Sequence, residues 1–220
     1  MFTVGLTGGI ACGKSLVAGV LASKTGCVVR SADRAARNLM RRRSPVYKAL
    51  VDRFGSSILR PDGAVDRAAL GRIVFHDAGQ RAWVEKLIHP RTVARMTAQI
   101  ARLERDGRTR IYVSESALLF EAGLSDFFDR IAVVFCSEDD QIRRLMLRDG
   151  IGRKQAMVRI RAQLPQEEKI RRADYLVNAS GGPENTVEES ERLYAQLSAE
   201  ADMRKAFRAG FLTPPQEGGS

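Results

Sequence analysis

The chain has 220 residues, 44% of them hydrophobic and 28% charged, and its 36 lysines and arginines against 26 acidic residues give a formal charge of +10. These values exclude a disordered or fibrous protein, and the length suits one domain or one domain with a sizeable insertion. No apolar run approaches the ~20 residues of a membrane span, and the N-terminus lacks the pattern of a secretory signal. We therefore expect a soluble protein that does not engage membranes.

The three cysteines, Cys12, Cys27 and Cys136, are widely spaced, and the chain has only two histidines. This pattern predicts neither a disulfide framework nor a zinc site, and a reducing cytoplasm is the simplest location. The positive charge favours phosphate-bearing partners, either nucleic acid or nucleotides. Only seven of the 36 basic residues are lysines. Because an arginine-rich composition also arises without functional cause, the charge alone does not choose between these partners.

Strands and helices alternate from the N-terminus. A short apolar run at 2–7 precedes a glycine-rich turn and a helix over 14–24, and a second run at 27–30 precedes a helix over 31–43. This alternation predicts a parallel α/β sheet. Three more short, apolar strands are predicted at 110–114, 130–136 and 175–177.

Residues 44–107 carry no strand signal and predict a helical insertion. Its helices are expected over 45–54, 66–75 and 80–105, with Pro90 kinking or splitting the last of them. Beyond the third strand, helices are predicted over 138–148, 153–164, 166–172 and 184–208, the final one broken. We expect residues 201–220 to form a flexible tail, since the chain ends in a run rich in proline, glycine and polar residues.

One motif predicts the chemistry. The sequence GGIACGKS matches G-x-x-x-x-G-K-[ST], directly after a predicted strand and before a predicted helix. Glycines let backbone N–H groups surround phosphate oxygens, and the helix N-terminus adds positive charge. In such a loop the lysine reaches the β- and γ-phosphates and the serine hydroxyl ligates Mg²⁺. The eight residues of this motif, which we expect to bind ATP, are Gly8, Gly9, Ile10, Ala11, Cys12, Gly13, Lys14 and Ser15.

Two carboxylates are placed for phosphoryl transfer. Asp33 follows the second predicted strand, at the sheet edge where ligands bind, and a carboxylate there accepts a proton from an attacking hydroxyl. Glu115 ends the third strand, where an acid holds Mg²⁺ directly or through water. The alternatives are a helix N-terminal acid for Asp33 and a surface charge for Glu115. Glu121 is less well placed for phosphates and is expected to be structural or solvated.

The arginines near residue 150 predict a lid. Arg144 and Arg148 share one helix face, and Gly150 and Gly152 break the helix just beyond them. A hinge flanked by arginines closes over a nucleotide and excludes water. The alternative is a pair of ordinary basic surface helices. Because the chain has no Asn-Lys-x-Asp for guanine, the motifs favour a small kinase over a GTPase.

An ordered series of motifs extends this pattern through most of the chain. Its pieces are Leu6-Thr7-Gly8-Gly9-Ile10, Gly13-Lys14-Ser15, Ala32-Asp33, Asp62-Gly63, Ile88-His89-Pro90, Leu118-Leu119-Phe120-Glu121, Arg144, Arg148-Asp149, Gln163, Lys169 and Ala173-Asp174-Tyr175. The series resembles the dephospho-CoA kinase family. The resemblance implies ATP-dependent phosphorylation of the ribose 3′-hydroxyl of dephospho-CoA, giving CoA and ADP in the last step of coenzyme A synthesis.

The resemblance also implies an architecture and a set of partners. It implies an α/β P-loop NTPase three-layer sandwich with a parallel sheet, an inserted helical acceptor-binding subdomain and a helical lid. One domain would span 1–200, with its core at about 1–43 and 108–200, the insertion at about 44–107 and the lid at about 143–172. The implied cofactors are ATP and Mg²⁺, with no nucleic-acid or membrane partner, in a cytoplasmic monomer or weak homo-oligomer.

Site roles follow in part from the same resemblance. The resemblance implies that Asp33 is the catalytic base, and it adds Leu16 to the residues that bind ATP. From the motif, the strand end and the lid, we expect Lys14 and Arg148 to be the catalytic cations and Ser15 and Glu115 to hold the metal. Two alternatives remain: another P-loop kinase for a nucleoside, nucleotide or other metabolite, or an ATP-binding protein associated with nucleic acid. The low aromatic content of 6% counts against single-strand binding.

Five residues, at four places in the chain, depart from the family pattern. Ser31 replaces the first aspartate of Asp-x-Asp, Ala11-Cys12 replaces Gly-Ser, Ala117 replaces a proline, and Ala179 replaces an asparagine near the expected adenine loop. We expect Ala11 to be tolerated if its φ is not positive. Ser31 leaves Asp33 to act without a second acid.

Overall fold

The computed structural model describes residues 1–208, and 209–220 lie outside the described part of the chain. All five predicted strands form, each within one residue of its expected bounds. They are β1 (Phe2–Gly8), β2 (Cys27–Ser31), β3 (Ile111–Glu115), β4 (Arg130–Phe135) and β5 (Tyr175–Asn178).

The strands form one sheet in the order β2-β3-β1-β4-β5. Strand β1 pairs in parallel with both β3 and β4, and β4 pairs in parallel with β5. The predicted parallel α/β fold is confirmed. Because the chain adds strands first on one side of β1 and then on the other, the carboxyl end of β1 lies where open α/β sheets bind ligands.

Nine α-helices occupy the described residues, and each matches a helical prediction. They are α1 (Lys14–Ala22), α2 (Ala32–Leu39), α3 (Pro45–Phe54), α4 (Arg67–His76), α5 (Ala78–Asp106), α6 (Glu138–Asp149), α7 (Arg153–Arg161), α8 (Gln166–Arg171) and α9 (Pro183–Arg208). None of these nine is long and apolar enough to cross a membrane.

Two helices are continuous where a break was predicted. Helix α5 is not split at Pro90. Two carbonyls of the turn before Pro90 accept side-chain hydrogen bonds, Leu87 O from Arg91 Nη1 at 2.7 Å and Ile88 O from Thr92 Oγ1 at 3.1 Å. Helix α9 is unbroken, so residues 201–208 of the expected tail are helical, whereas 209–220 fall outside the described residues.

The chain forms two compact units. One comprises Met1–Arg30 with the described residues from Asp106 onward, and the other is Ser31–Arg105. The second unit begins earlier than the insertion predicted at residue 44, because Leu39 and Met40 at the end of α2 pack into its core.

Each unit has its own core. In the first, one face of the sheet packs against α1 and α9. This core includes Phe2, Val4, Leu6, Val17, Leu21, Leu193 and Leu197. In the second unit, buried side chains of α3 and α4 pack with partly buried ones of α5, and Trp83 meets Phe54 edge to face at 5.8 Å between ring centroids. The sheet and the glycine-rich loop lie in the first unit.

Candidate active site

The loop predicted to bind phosphates lies between β1 and α1. Gly8 and Gly13 have positive φ values of 147° and 96°. A Cβ on Gly8 would lie 2.1 Å from the carbonyl oxygen of Val134, so no side chain fits there. Gly13 occupies the N-cap of α1, where the helix presents its first N–H groups. The backbone thus has the tight turn and the helix N-terminus that a phosphate site requires.

Lys14 is held beneath this loop. Its side chain is buried, and its Nζ donates to the carbonyl oxygens of Gly8 at 2.9 Å and Gly9 at 2.7 Å. These bonds orient the ammonium group toward the centre of the loop. A buried positive charge beside oriented backbone amides attracts polyphosphate strongly, because little water screens it.

Ser15 and Glu115 meet at the carboxyl ends of β1 and β3. Ser15 Oγ donates to Glu115 Oε1 at 3.4 Å, across 100 positions of sequence. A hydroxyl and a carboxylate are hard oxygen donors of the kind that Mg²⁺ prefers. This pair fits a magnesium ion bound together with a nucleotide.

Ala11 is a non-glycine residue in the left-handed region. Its φ is +61°, so the condition on which its tolerance was expected does not hold. A side chain in this conformation costs roughly 1–2 kcal/mol. The cost is offset by contacts from helices far along the chain: Gln141 and Gln163 each hydrogen-bond Ile10, and Ala11 packs against the α6–α7 cluster.

The two lid arginines have different surroundings. Arg144 donates to the carbonyl oxygens of Ala179 at 2.7 Å and Gly181 at 2.9 Å, and its Nη1 is 3.7 Å from where a Cβ on Gly13 would lie. Arg148 is exposed and contacts Asp149, with its Nε 2.8 Å from Oδ1. This contact raises the pKa of Arg148 and lowers that of Asp149. Of the two, Arg144 lies beside the phosphate loop.

Cys12 and Cys136 are buried neighbours in the loop region. Gln166 links them, since its Oε1 accepts from Cys12 Sγ at 3.4 Å and from Cys136 N at 3.3 Å. A hydrogen bond from the Cys136 thiol lowers the pKa of Cys12 to about 7, with a smaller contribution from the charge of Lys14. The same pairing raises the pKa of Cys136. All three cysteines are free thiols.

Asp33 belongs to the second unit and lies in the first turn of α2, two residues after β2 ends. Ser31 is the N-cap of α2, and its side chain accepts from Arg34 N at 3.2 Å. Ser31, which replaces the first acid of Asp-x-Asp, therefore caps a helix in this chain. Asp33 is half-buried.

A family model described as dephospho-CoA kinase matches residues 2–185 of the chain. The chain belongs to the dephospho-CoA kinase family. A dephospho-CoA kinase from Anaeromyxobacter dehalogenans is 42% identical over 197 residues, covering 90% of this chain and 92% of that protein. A dephospho-CoA kinase from Geobacter sulfurreducens is 40% identical over 196 residues, covering 89% and 98%. The resemblance predicted from motifs is confirmed, and the chain is a kinase that uses ATP.

Solved structures share the fold of this kinase. TT1252 from Thermus thermophilus superposes with a TM-score of 0.77 at 30% identity, over 89% of this chain and 96% of that one. Dephospho-CoA kinase from Campylobacter jejuni superposes with a TM-score of 0.66 at 24% identity, over 90% and 98%. These likenesses confirm the P-loop kinase fold.

The first unit of the kinase brings together the loop, Lys14, Ser15 and Glu115. Sequence reasoning gave no role to Gln141 or Gln163, although Gln163 is one of the family motifs. It also favoured Arg148 over Arg144, which lies nearer the loop. Neither glutamine has a distinctive local signal, because the burial of Gln141 and its contact with the loop are seen only in the structure.

Proposed function

We propose that this protein transfers the γ-phosphoryl group of ATP to the ribose 3′-hydroxyl of dephospho-CoA, giving CoA and ADP as the last step of coenzyme A synthesis. The observation that carries the proposal is the family match over residues 2–185, which includes the phosphate loop with its buried lysine. Relatives that are about 40% identical over most of their own length are named dephospho-CoA kinase.

In this reaction the loop and Lys14 hold the polyphosphate of ATP. The hydrogen bonds that Lys14 Nζ donates to the carbonyl oxygens of Gly8 and Gly9 fix the ammonium group. Little reorganisation is therefore needed when charge shifts toward the β–γ bridging oxygen. Ser15 and Glu115 would hold Mg²⁺, which when bound neutralises charge on the phosphates and aligns them. Positioning and electrostatics account for most of the acceleration in phosphoryl transfer.

The acceptor side of the mechanism rests on Asp33. Its carboxylate accepts the proton of the 3′-hydroxyl as the oxygen attacks the γ-phosphorus, and ADP departs with the electrons of the broken P–O bond. The support is the family motif Ala32-Asp33 and the position of Asp33 just past the end of β2. We assign the neutralisation of charge on the transferring group to Arg144 and Arg148.

We further propose that ATP and dephospho-CoA are the only partners the reaction needs. The enzyme would act in the cytoplasm, as a monomer or weak homo-oligomer, without nucleic acid. The three free thiols are consistent with a reducing compartment.

An ADP-release assay tests the reaction with dephospho-CoA, intact CoA, adenosine and nucleoside monophosphates as acceptors. We expect turnover with dephospho-CoA alone, and a product that carries a new phosphate on the 3′-oxygen. Intact CoA is the matched control, since its 3′-oxygen is already phosphorylated. Lys14→Met should abolish turnover and excludes a contaminating kinase. Turnover of another acceptor without turnover of dephospho-CoA would overturn the proposal.

A further inference from the structure

Two glutamines hold one residue of the phosphate loop from opposite sides. The backbone N–H of Ile10 donates to Gln163 Oε1 at 2.7 Å, and Gln141 Nε2 donates to the carbonyl oxygen of Ile10 at 2.7 Å. Both polar groups of the Ile10 backbone are therefore bonded to side chains more than 130 positions away. Such bonds fix the position of a loop that has no regular backbone ladder of its own.

The two glutamines lie on opposite sides of the predicted hinge, one within a helix and one just past the end of the next helix. Gln141 is a buried residue of α6, and Gln163 follows the end of α7. The amide of Gln141 also lies against Gly9, where an added Cβ would approach its Nε2 to 2.4 Å. Any other side chain at Gly9 would displace Gln141, so these two residues are matched in size.

Apolar contacts hold the same stretch of loop. The side chains of Ile10 and Ala11 pack against a cluster formed by Ile142, Leu145 and Ala156, which joins α6 to α7. Residues 10 and 11 are thus attached to the two helices by hydrogen bonds and by hydrophobic packing. The position of α7 and the shape of the loop are coupled through Gln163.

These contacts explain how Ala11 keeps a positive φ. The carbonyl that Gln141 binds belongs to the peptide bond that leads into Ala11, so fixing that peptide restricts rotation at Ala11. A free loop with alanine at this position would relax to negative φ, which would turn the following amides away from a bound phosphate.

We propose that Gln141 and Gln163 are positioning residues that hold the phosphate loop in its ATP-binding shape through the Ile10 backbone. The proposal rests on the proposed function only for the identity of the nucleotide, and it makes no use of the acceptor. Neither glutamine needs to touch ATP, because their effect passes through Ile10 and Ala11.

The experiment measures ATP affinity by titration calorimetry, with Mg²⁺ and no acceptor, in Gln141→Met and Gln163→Met. Methionine keeps the side-chain length and removes the hydrogen bond. We expect each variant to bind ATP roughly tenfold more weakly, because a buried backbone group loses its partner. In steady state, the KM for ATP should rise by a similar factor while the KM for the acceptor stays unchanged. Gln155→Met, on the exposed face of α7, is the control.

Rescue by Ala11→Gly separates positioning from general destabilisation. Glycine adopts positive φ freely, so adding it to either variant should recover at least roughly threefold of the lost ATP affinity. Unchanged ATP affinity in both methionine variants, or a lower melting temperature with ATP affinity retained, would overturn the proposal. Absence of rescue would overturn it as well. If one variant does not fold, the other carries the test.

The outcomes are distinct from those of the acceptor assay. A wild-type protein that binds ATP but does not phosphorylate dephospho-CoA would end the proposed function and leave the glutamine test intact. A protein that phosphorylates dephospho-CoA with unchanged ATP affinity in both variants would end only the present proposal.

Discussion

Lys169 forms an ion pair with Glu121, with Nζ 2.8 Å from Oε1, and the lysine side chain is completely buried. The same carboxylate oxygen accepts from the backbone N–H of Leu164 at 3.0 Å, and Nζ also donates to the carbonyl oxygen of Ala117 at 3.3 Å. The ion pair joins the loop after β3 to α8, and the hydrogen bond from Leu164 joins the same loop to the segment between α7 and α8. Glu121 therefore has the structural role that the sequence predicted for it.

Removing the carboxylate should cost more than removing the lysine. Glu121→Gln leaves a buried ammonium group without its counter-charge and should lower the free energy of unfolding by about 2–3 kcal/mol. This loss is smaller than for a fully buried ion pair, because Glu121 is partly exposed. Lys169→Met leaves a carboxylate that water reaches, and should cost about half as much. Urea unfolding measures both. Glu167→Gln, an exposed acid in α8, is the control, and equal losses in all three variants would contradict the asymmetry.

Glycine at position 11 should stabilise the protein. Ala11→Gly removes the penalty of a positive φ and should raise the free energy of unfolding by about 0.5–1 kcal/mol, after allowing for the more flexible unfolded chain. Ala195→Gly, in the exposed middle of α9, should lower it by about 1 kcal/mol. Thermal unfolding of both variants checks the opposite signs, and a stability loss at position 11 would contradict the strain argument.

The Cys12 thiol should make stability depend on pH between 7 and 9. Its pKa is about 7 in the folded protein, lowered from 9.0 chiefly by the hydrogen bond from Cys136. In this interval the unfolded state keeps the proton that the folded state has released, so stability rises with pH. We expect this contribution of Cys12 to be fully present above pH 9 and to be lost as the pH falls through 7.

Cys12→Ser tests this dependence, because a hydroxyl does not titrate in this range. The difference in unfolding free energy between the wild type and the variant should grow from pH 6.5 to pH 9. Burial raises the pKa of Cys27 to about 11, so Cys27→Ser serves as the control and should show no such trend below pH 9. A constant difference between wild type and Cys12→Ser would show that the thiol stays protonated.

Asp33→Asn should remove the proposed base and leave nucleotide binding intact. We expect kcat to fall by roughly 10²–10⁴, with the dissociation constant for ATP unchanged, since the amide cannot take up the hydroxyl proton. Rapid-quench turnover and calorimetry measure the two quantities. Asp52→Asn, an exposed acid of α3, is the control. A variant with wild-type kcat would remove Asp33 from the mechanism.

Loss of either proposed oxygen ligand should weaken the affinity for Mg²⁺. Glu115→Gln and Ser15→Ala should each raise the Mg²⁺ concentration for half-maximal rate by roughly 10–100-fold. Excess EDTA should stop the wild-type reaction, and added Mg²⁺ should restore it. Glu85→Gln, an exposed acid of α5, should leave the metal titration unchanged. Identical titrations for all variants would place the metal elsewhere.

Local patterns predicted the strands, the helices and the loop because their signals lie within a few residues. The turn from Gly8 to Lys14 is defined by glycines and by its place between a strand and a helix. The positive φ of Ala11 had no such signal, because it depends on Gln141 and Gln163, which the chain brings back only after three more strands. Tertiary contact, and not propensity, sets this conformation.

The sequence could not show which of the two lid arginines, Arg144 or Arg148, lies beside the phosphate loop, and the reason is the same. The two residues are four apart and share a helix face, so spacing treats them alike. Only the carbonyl oxygens of Ala179 and Gly181, from the segment after β5, draw Arg144 toward the loop. Likewise, the second unit was expected to start at residue 44, because nothing local shows that the end of α2 packs into it.

The strand order also delays the pairing of β1 during translation. Strand β1 leaves the ribosome first, yet its partners β3 and β4 begin at Ile111 and Arg130, about 100 residues later or more. At cellular rates of translation that interval lasts roughly 5–20 s. The unit Ser31–Arg105 is fully synthesised within it, while an apolar strand and an unformed nucleotide loop remain without a sheet. A nascent chain stalled before residue 111 should therefore be a client for chaperones that bind exposed hydrophobic segments.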